Sequence, residues 1–212
     1  MDKQRYILYP VWDPLLRGVH WWNVLTLCGQ LVTGAFIIYL GEELDHMDHE
    51  GLVRIHLVFG YLFAAGLLVR TLWLFTGPES ARLSDLLPLT KARRRVLWET
   101  VRFYLGLLRG TPPLYRAHNP FAGIVYCIFF LVAWFQVVTG AVTLKLAAGL
   151  REDSALLELH EAGFFLIVLF IAAHLAAVFI HELVERRGLV SAMVHGCKIF
   201  TDKEIEALEG EP

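Results

Sequence analysis

Four apolar runs, Trp21–Gly41, Ile55–Phe75, Pro120–Leu144 and Ala162–Ile180, fix what this chain can become, and Arg70 is the only full charge inside any of them. A helix of about 20 apolar residues crosses the ~30 Å hydrocarbon core of a bilayer, where every backbone N–H and C=O must find its partner inside the segment. The chain therefore reads as an all-α membrane protein, a single domain over residues 1–212. Its form is a four-transmembrane-helix bundle with spans of about 20–41, 54–76, 120–144 and 158–182. A mean hydropathy of +0.52, concentrated in those runs, excludes an ordinary water-soluble domain. The first run is expected to stay in the membrane, because it is long and leads into Tyr39–Leu40–Gly41–Glu42, not into a small-residue cleavage site.

Orientation follows from the cationic residues. The N-terminal segment, the loop between spans two and three and the C-terminal tail together hold 15 of the 19 Lys and Arg residues, from Lys3, Arg5 and Arg17 to Lys198 and Lys203. The other two loops are acidic, with Glu42, Glu43, Asp45, Asp48, Glu50, Glu152, Asp153 and Glu158 against Arg54, Lys145 and Arg151. Both termini are accordingly expected in the cytoplasm and the acidic loops outside.

The stretch Leu159–His181 carries three histidines on an apolar helix. His160 and His174 are 14 residues apart, close to four whole turns, so both imidazoles share a face about 21 Å apart along the axis. An imidazole in lipid is costly without a partner, and haem iron would satisfy both. The remaining histidines sort by depth. His56, opening the second span, matches His160 at the outer end; His20, in Arg17–Gly18–Val19–His20–Trp21, matches His174 at the inner end, with His181 an inner competitor. Two bis-imidazole haems follow. An iron so ligated has no open position for oxygen chemistry, and its work is outer-sphere electron transfer. Gly60, one turn after His56, leaves room for a flat macrocycle, and Arg17 and Arg54 are placed either to pair with haem propionates or to snorkel to lipid phosphates. Cys28, Cys127 and Cys197 form no disulfide framework, and without a Cys-x-x-Cys-His motif any haem is held by ligands and packing. The loop Asp45–His46–Met47–Asp48–His49–Glu50 has a spacing a divalent metal would accept, but acidic loops of this kind are ordinarily solvated, and no role is assigned.

Between spans two and three, residues 91–110 set Val96, Leu97, Val101, Tyr104, Leu105 and Leu108 on one face, an amphipathic helix on the cytoplasmic leaflet. Its basic residues suit anionic headgroups, and nucleic acid is not needed to explain them. His118–Asn119–Pro120 opens the third span. Asn before Pro is a natural helix cap, while as a polar pair at the interface His118 and Asn119 are also placed to hydrogen-bond a quinone carbonyl and relay its proton.

In combination Arg17–Asn23, Arg54–Arg70, His118–Gly140, Leu159–His174 and Gly188–Phe200 resemble the b-type cytochrome subunit of membrane-bound nickel-iron hydrogenases. That family is related to the cytochrome b subunits of formate dehydrogenase and thiosulfate reductase. The resemblance implies two haem b groups, ligated by the pairs His20/His174 and His56/His160, and prefers His174 to His181. It implies that electrons enter from the iron–sulfur small subunit of a hydrogenase, bound with its large subunit at the outer face. They leave to menaquinone or ubiquinone near the cytoplasmic face, in a bacterial or archaeal cytoplasmic membrane. The chain would then be an electron-transfer subunit of an oxidoreductase complex, bearing the quinone reduction site. A stand-alone superoxide:quinone oxidoreductase is disfavoured by the acidic outer loops, which would repel an anionic substrate. A haem-free anchor would leave two depth-matched sets of histidines unexplained.

Overall fold

The computed structural model describes residues 5–41, 43–44, 46–146 and 154–209. Lys3, Glu42, Asp45, Arg151, Glu152 and Asp153, which enter the charge pattern above, lie outside the described residues. The elements run β1 (Tyr6–Pro10), α1 (Pro14–Leu40), α2 (His46–Thr76), α3 (Leu83–Leu86), α4 (Lys91–Leu105), α5 (Pro120–Thr143), α6 (Ala155–Glu185), α7 (Leu189–His195), β2 (Cys197–Thr201) and α8 (Asp202–Glu209). Four of these, α1, α2, α5 and α6, are long and apolar enough to cross a membrane. This is the multi-pass helical architecture expected, with helix ends set by caps beyond the apolar runs. Asp13 accepts the Leu16 amide at 3.0 Å and Pro14 takes the first helical position, so α1 begins seven residues before the apolar run at Trp21. In α2 the extra turns come from the acidic loop, where Arg54 bonds Glu50 one turn earlier at 2.8 Å.

Two units divide the chain. One, residues 18–71 and 129–173, contains the greater part of all four long helices. Its centre is Phe63, Leu67 and Ala133, with Leu27, Phe129, Phe130, Trp134 and Val137 packed around them. The outward faces expose Leu25, Tyr61, Leu131 and Leu169, a surface that water would penalise and lipid accepts.

The other unit gathers both chain ends, residues 72–128 and the last part of α6. Here β1 pairs antiparallel with β2, Tyr6 opposite Thr201 and Pro10 opposite Cys197. Val11, Ala117 and Phe200 form its core. Lys198, 2% exposed, extends from β2 to donate to the Ala117 carbonyl at 2.8 Å, with its ammonium over the rings of Tyr115 and Trp12. The amphipathic helix expected over 91–110 ends at Leu105, because Leu107, Leu108 and Gly110 turn to positive φ. Its buried line is Val96, Thr100 and Phe103, so Leu105, assigned to the apolar face from periodicity, is exposed together with Trp98. Such exposed apolar groups suit a helix resting on a leaflet.

A candidate haem site built from two like hairpins

In the first unit the rings of His56 and His160 face one another, centroids 6.3 Å apart and planes at 83°. Each is held from the preceding long helix. Thr33 on α1 lies 2.8 Å from Nδ1 of His56, and Thr139 on α5 lies 3.0 Å from Nδ1 of His160. Both hydroxyls spend their own hydrogen on a carbonyl one turn back, Thr33 on Gly29 at 2.7 Å and Thr139 on Phe135 at 2.9 Å. Each Thr oxygen is therefore an acceptor toward its histidine, which must present Nδ1–H. The lone pair is then on Nε2, the tautomer a metal ligand needs.

The support repeats at the backbone. Gln30 Nε2 donates to the His56 carbonyl, and Gln136 Nε2 donates to the His160 carbonyl at 2.8 Å. Residues 30–34 read Gln-Leu-Val-Thr-Gly and 136–140 read Gln-Val-Val-Thr-Gly. At helical spacing Gln, Thr and Gly of each set share one face. The glycine lets the ring lie against the helix: a Cβ at Gly140 would stand 3.0 Å from Cε1 of His160, and one at Gly34 3.3 Å from Cε1 of His56. The separation from Gln to histidine is 26 residues in the first hairpin and 24 in the second. The site is thus made twice over by one arrangement. Sequence reasoning found the histidines and missed the Gln and Thr, although the repeated pentapeptide was the signal.

The arrangement fits a bis-imidazole iron. Two metal–nitrogen bonds of about 2 Å, plus the radius of each ring, put imidazole centroids roughly 6 Å apart; the observed 6.3 Å meets that. A Cβ at Gly60 would meet Gln30 Nε2 at 3.1 Å, so this glycine makes room for the glutamine that supports His56. Arg54 lies on the exposed side of α2 with Glu50.

His20, half-buried, lies in the same unit with its ring edge-on to Trp21 at 5.3 Å. His174 falls in the other unit, where the Tyr126 hydroxyl is 3.4 Å from its Nδ1. Both ring nitrogens of His181 are engaged within the chain, Nδ1 by Glu185 at 2.6 Å and Nε2 by Tyr104 at 2.7 Å. Arg17 donates to the Val194 carbonyl, and its Nε is buried without a partner among the described residues, an orphan donor that an anionic group would satisfy.

At the start of α5, Asn119 is a cap: its Oδ1 accepts the Phe121 amide at 2.9 Å and its Nδ2 donates to Thr100 of α4 at 3.0 Å. His118 bonds Asp85 through Nδ1 at 2.7 Å, and Asp85 is also paired with Arg93 at 2.9 Å. Asp85 was not foreseen, as nothing in its local sequence marks it. Among the described residues no group of three or more His, Cys, Asp or Glu is arranged for a bare metal ion, Asp48 and His49 included.

Two antiparallel helix pairs thus bring facing, Thr-supported imidazoles together inside a bundle of membrane-spanning length. The family model for prokaryotic cytochrome b561 matches residues 11–196, and the chain belongs to that family. Its relatives include the probable Ni/Fe-hydrogenase B-type cytochrome subunit of Azotobacter vinelandii, 33% identical over 91% of this chain and 89% of the relative. The corresponding subunit of Cupriavidus necator is 29% identical over 91% and 87%. The probable Ni/Fe-hydrogenase 1 B-type cytochrome subunit of Escherichia coli K12 is 26% identical over 88% of each. No solved structure matches. A b-type cytochrome implies haem b, which the His56–His160 geometry accommodates.

Proposed function

We propose that the chain carries electrons across a bacterial cytoplasmic membrane through two b haems. They pass from the iron–sulfur small subunit of a nickel-iron hydrogenase, with its large subunit, at the outer face to menaquinone or ubiquinone near the cytoplasmic face. The observation that carries this is the facing His56–His160 pair in its duplicated Thr and Gln support. The hydrogenase names of the relatives favour that partner over a formate dehydrogenase or thiosulfate reductase. A haem with both axial positions filled supplies one-electron outer-sphere transfer.

The chain's own residues then divide the work. Thr33 and Thr139 hold the outer imidazoles as Nδ1–H tautomers, and Gln30 and Gln136 fix the backbone beneath them. His20 and His174 hold the inner haem, a pairing that rests on their matched depth in the sequence. The orphan Nε of Arg17 supports a propionate contact there; Arg54, bonded to Glu50 and largely exposed, would have to exchange that partner for one. His118, with Asn119 as the cap that positions it, lies beside the quinone site. Hydrogen oxidised outside and quinone reduced inside release and take up protons on opposite faces, so electron flow charges the membrane. Both termini are cytoplasmic on this reading.

Haem quantification with a reduced-minus-oxidised spectrum on the purified chain, and on His160→Ala and His174→Ala, tests it. Two haems per chain, with each substitution removing a different one, is the expected result. A single haem indifferent to His160→Ala would refute the two-step path.

A further inference from the structure

At the end of α6 a carboxylate is wholly buried: Glu185, its side chain 0% exposed. It accepts from the Tyr115 hydroxyl at 2.9 Å and lies 4.0 Å from Arg187 Nε, while its other neighbour is the His181 ring, which bridges to the Tyr104 hydroxyl. Carboxylate, imidazole and hydroxyl thus stand in line, each within 2.7 Å of the next. His181 follows His174 by seven residues, two helical turns, so both rings leave the same face of α6 about 10 Å apart along the axis. Aromatic rings of α5 accompany this path, Phe121 edge-on to Tyr104 at 5.3 Å and Tyr126 at 5.8 Å from His174.

We infer that Tyr104, His181 and Glu185 form the chain that delivers protons to the quinone, with the Tyr104 hydroxyl as the group that touches it. This rests on the reading that quinone is reduced beside the inner haem. Each quinone carbonyl oxygen takes one electron and one proton, two of each making the quinol. The electron comes by the haem path from the hydrogenase partner. The proton leaves Tyr104 as protonated His181 passes its Nε2 hydrogen to the phenol oxygen, so no phenolate accumulates. The ring keeps Nδ1–H on Glu185, and one proton from the cytoplasmic side restores Nε2–H for the next turnover; the para carbonyl, out of reach of the same hydroxyl, takes its proton from water on the cytoplasmic side. Burial and the Glu185 charge push the Tyr104 phenol up to about 12, which is why the phenol needs this concerted refilling. Tyr115, Arg187 and Lys198 are the other titratable or charged groups facing the chain.

The test is haem reduction by duroquinol, followed by stopped flow on the haem-loaded full chain in nanodiscs, for Tyr104→Phe and Glu185→Gln across pH 6–9. The expected result is a loss of about 10- to 100-fold in rate. The pH dependence and solvent deuterium isotope effect should shrink while haem content holds, and in Glu185→Gln, which does not touch the quinone, the half-saturating duroquinol concentration holds as well. If Tyr104→Phe loses haem, Glu185→Gln carries the same comparison. Wild-type rates and pH profile in a haem-replete variant would overturn the inference and leave the cluster a structural latch. A wild-type chain that dithionite reduces but duroquinol does not would overturn the quinone reading itself, and the inference with it.

Discussion

Replacing Thr139 by Val removes one hydroxyl and almost nothing else, since the two side chains are nearly the same size. The His160 Nδ1–H then loses its acceptor at 3.0 Å inside the helix pair. A hydrogen bond from Nδ1–H makes the imidazole a stronger donor and favours the oxidised iron, so its loss should raise the potential of the outer haem. A net worth of about 0.5–1.5 kcal/mol for such a bond, at 59 mV per tenfold for a one-electron couple, converts to a rise of roughly 20–60 mV. Redox titration of the haem absorption bands in the purified variant reads this directly. Thr139→Ser should restore the original potential, and Thr33→Val should shift the same haem in the same direction because His56 is held alike at 2.8 Å. A haem-replete Thr139→Val with both potentials unmoved would refute the assignment of the threonines as tautomer-setting groups.

Gly140→Ala should drive a methyl into the His160 ring and cost the outer haem alone, seen as a fall in haem per chain with the inner-haem spectrum intact. Asn119→Ala removes both the cap and the Thr100 contact and should destabilise the fold by about 1–2 kcal/mol, with a lower thermal midpoint in detergent but unchanged haem bands. Lys198, pushed down to about 8 by burial, binds its proton less well folded than unfolded. Its penalty is therefore present below pH 8 and relieved as pH rises from 8 toward its ordinary 10.5. Lys198→Met should flatten the rise of thermal stability with pH in that window.

The spans were legible because an apolar run is a local signal, and the histidines because polar groups in lipid stand out. Helix starts were not, since α1 and α2 begin in polar turns that caps and ion pairs hold in place. The β1–β2 pairing joins residue 6 to residue 201, and neither strand is long enough to announce itself. Thr33 and Thr139 were invisible singly, because threonine in a membrane helix commonly does no more than bond its own previous turn. His181 was ambiguous for a different reason: at seven residues from His174 it has the right face, and its Tyr104 and Glu185 contacts are made by residues distant in sequence or unmarked in it.

The duplicated hairpin bears on how such a chain comes to be assembled. Residues 14–76 carry one imidazole of the facing pair and residues 120–185 the other, so on this reading neither hairpin can retain the macrocycle by itself. During synthesis the first hairpin must wait in the bilayer, its His56 satisfied by Thr33 alone, until the last span has been inserted. Cofactor capture then becomes a checkpoint for completed membrane insertion, and a chain truncated after α5 should emerge colourless even where haem is abundant.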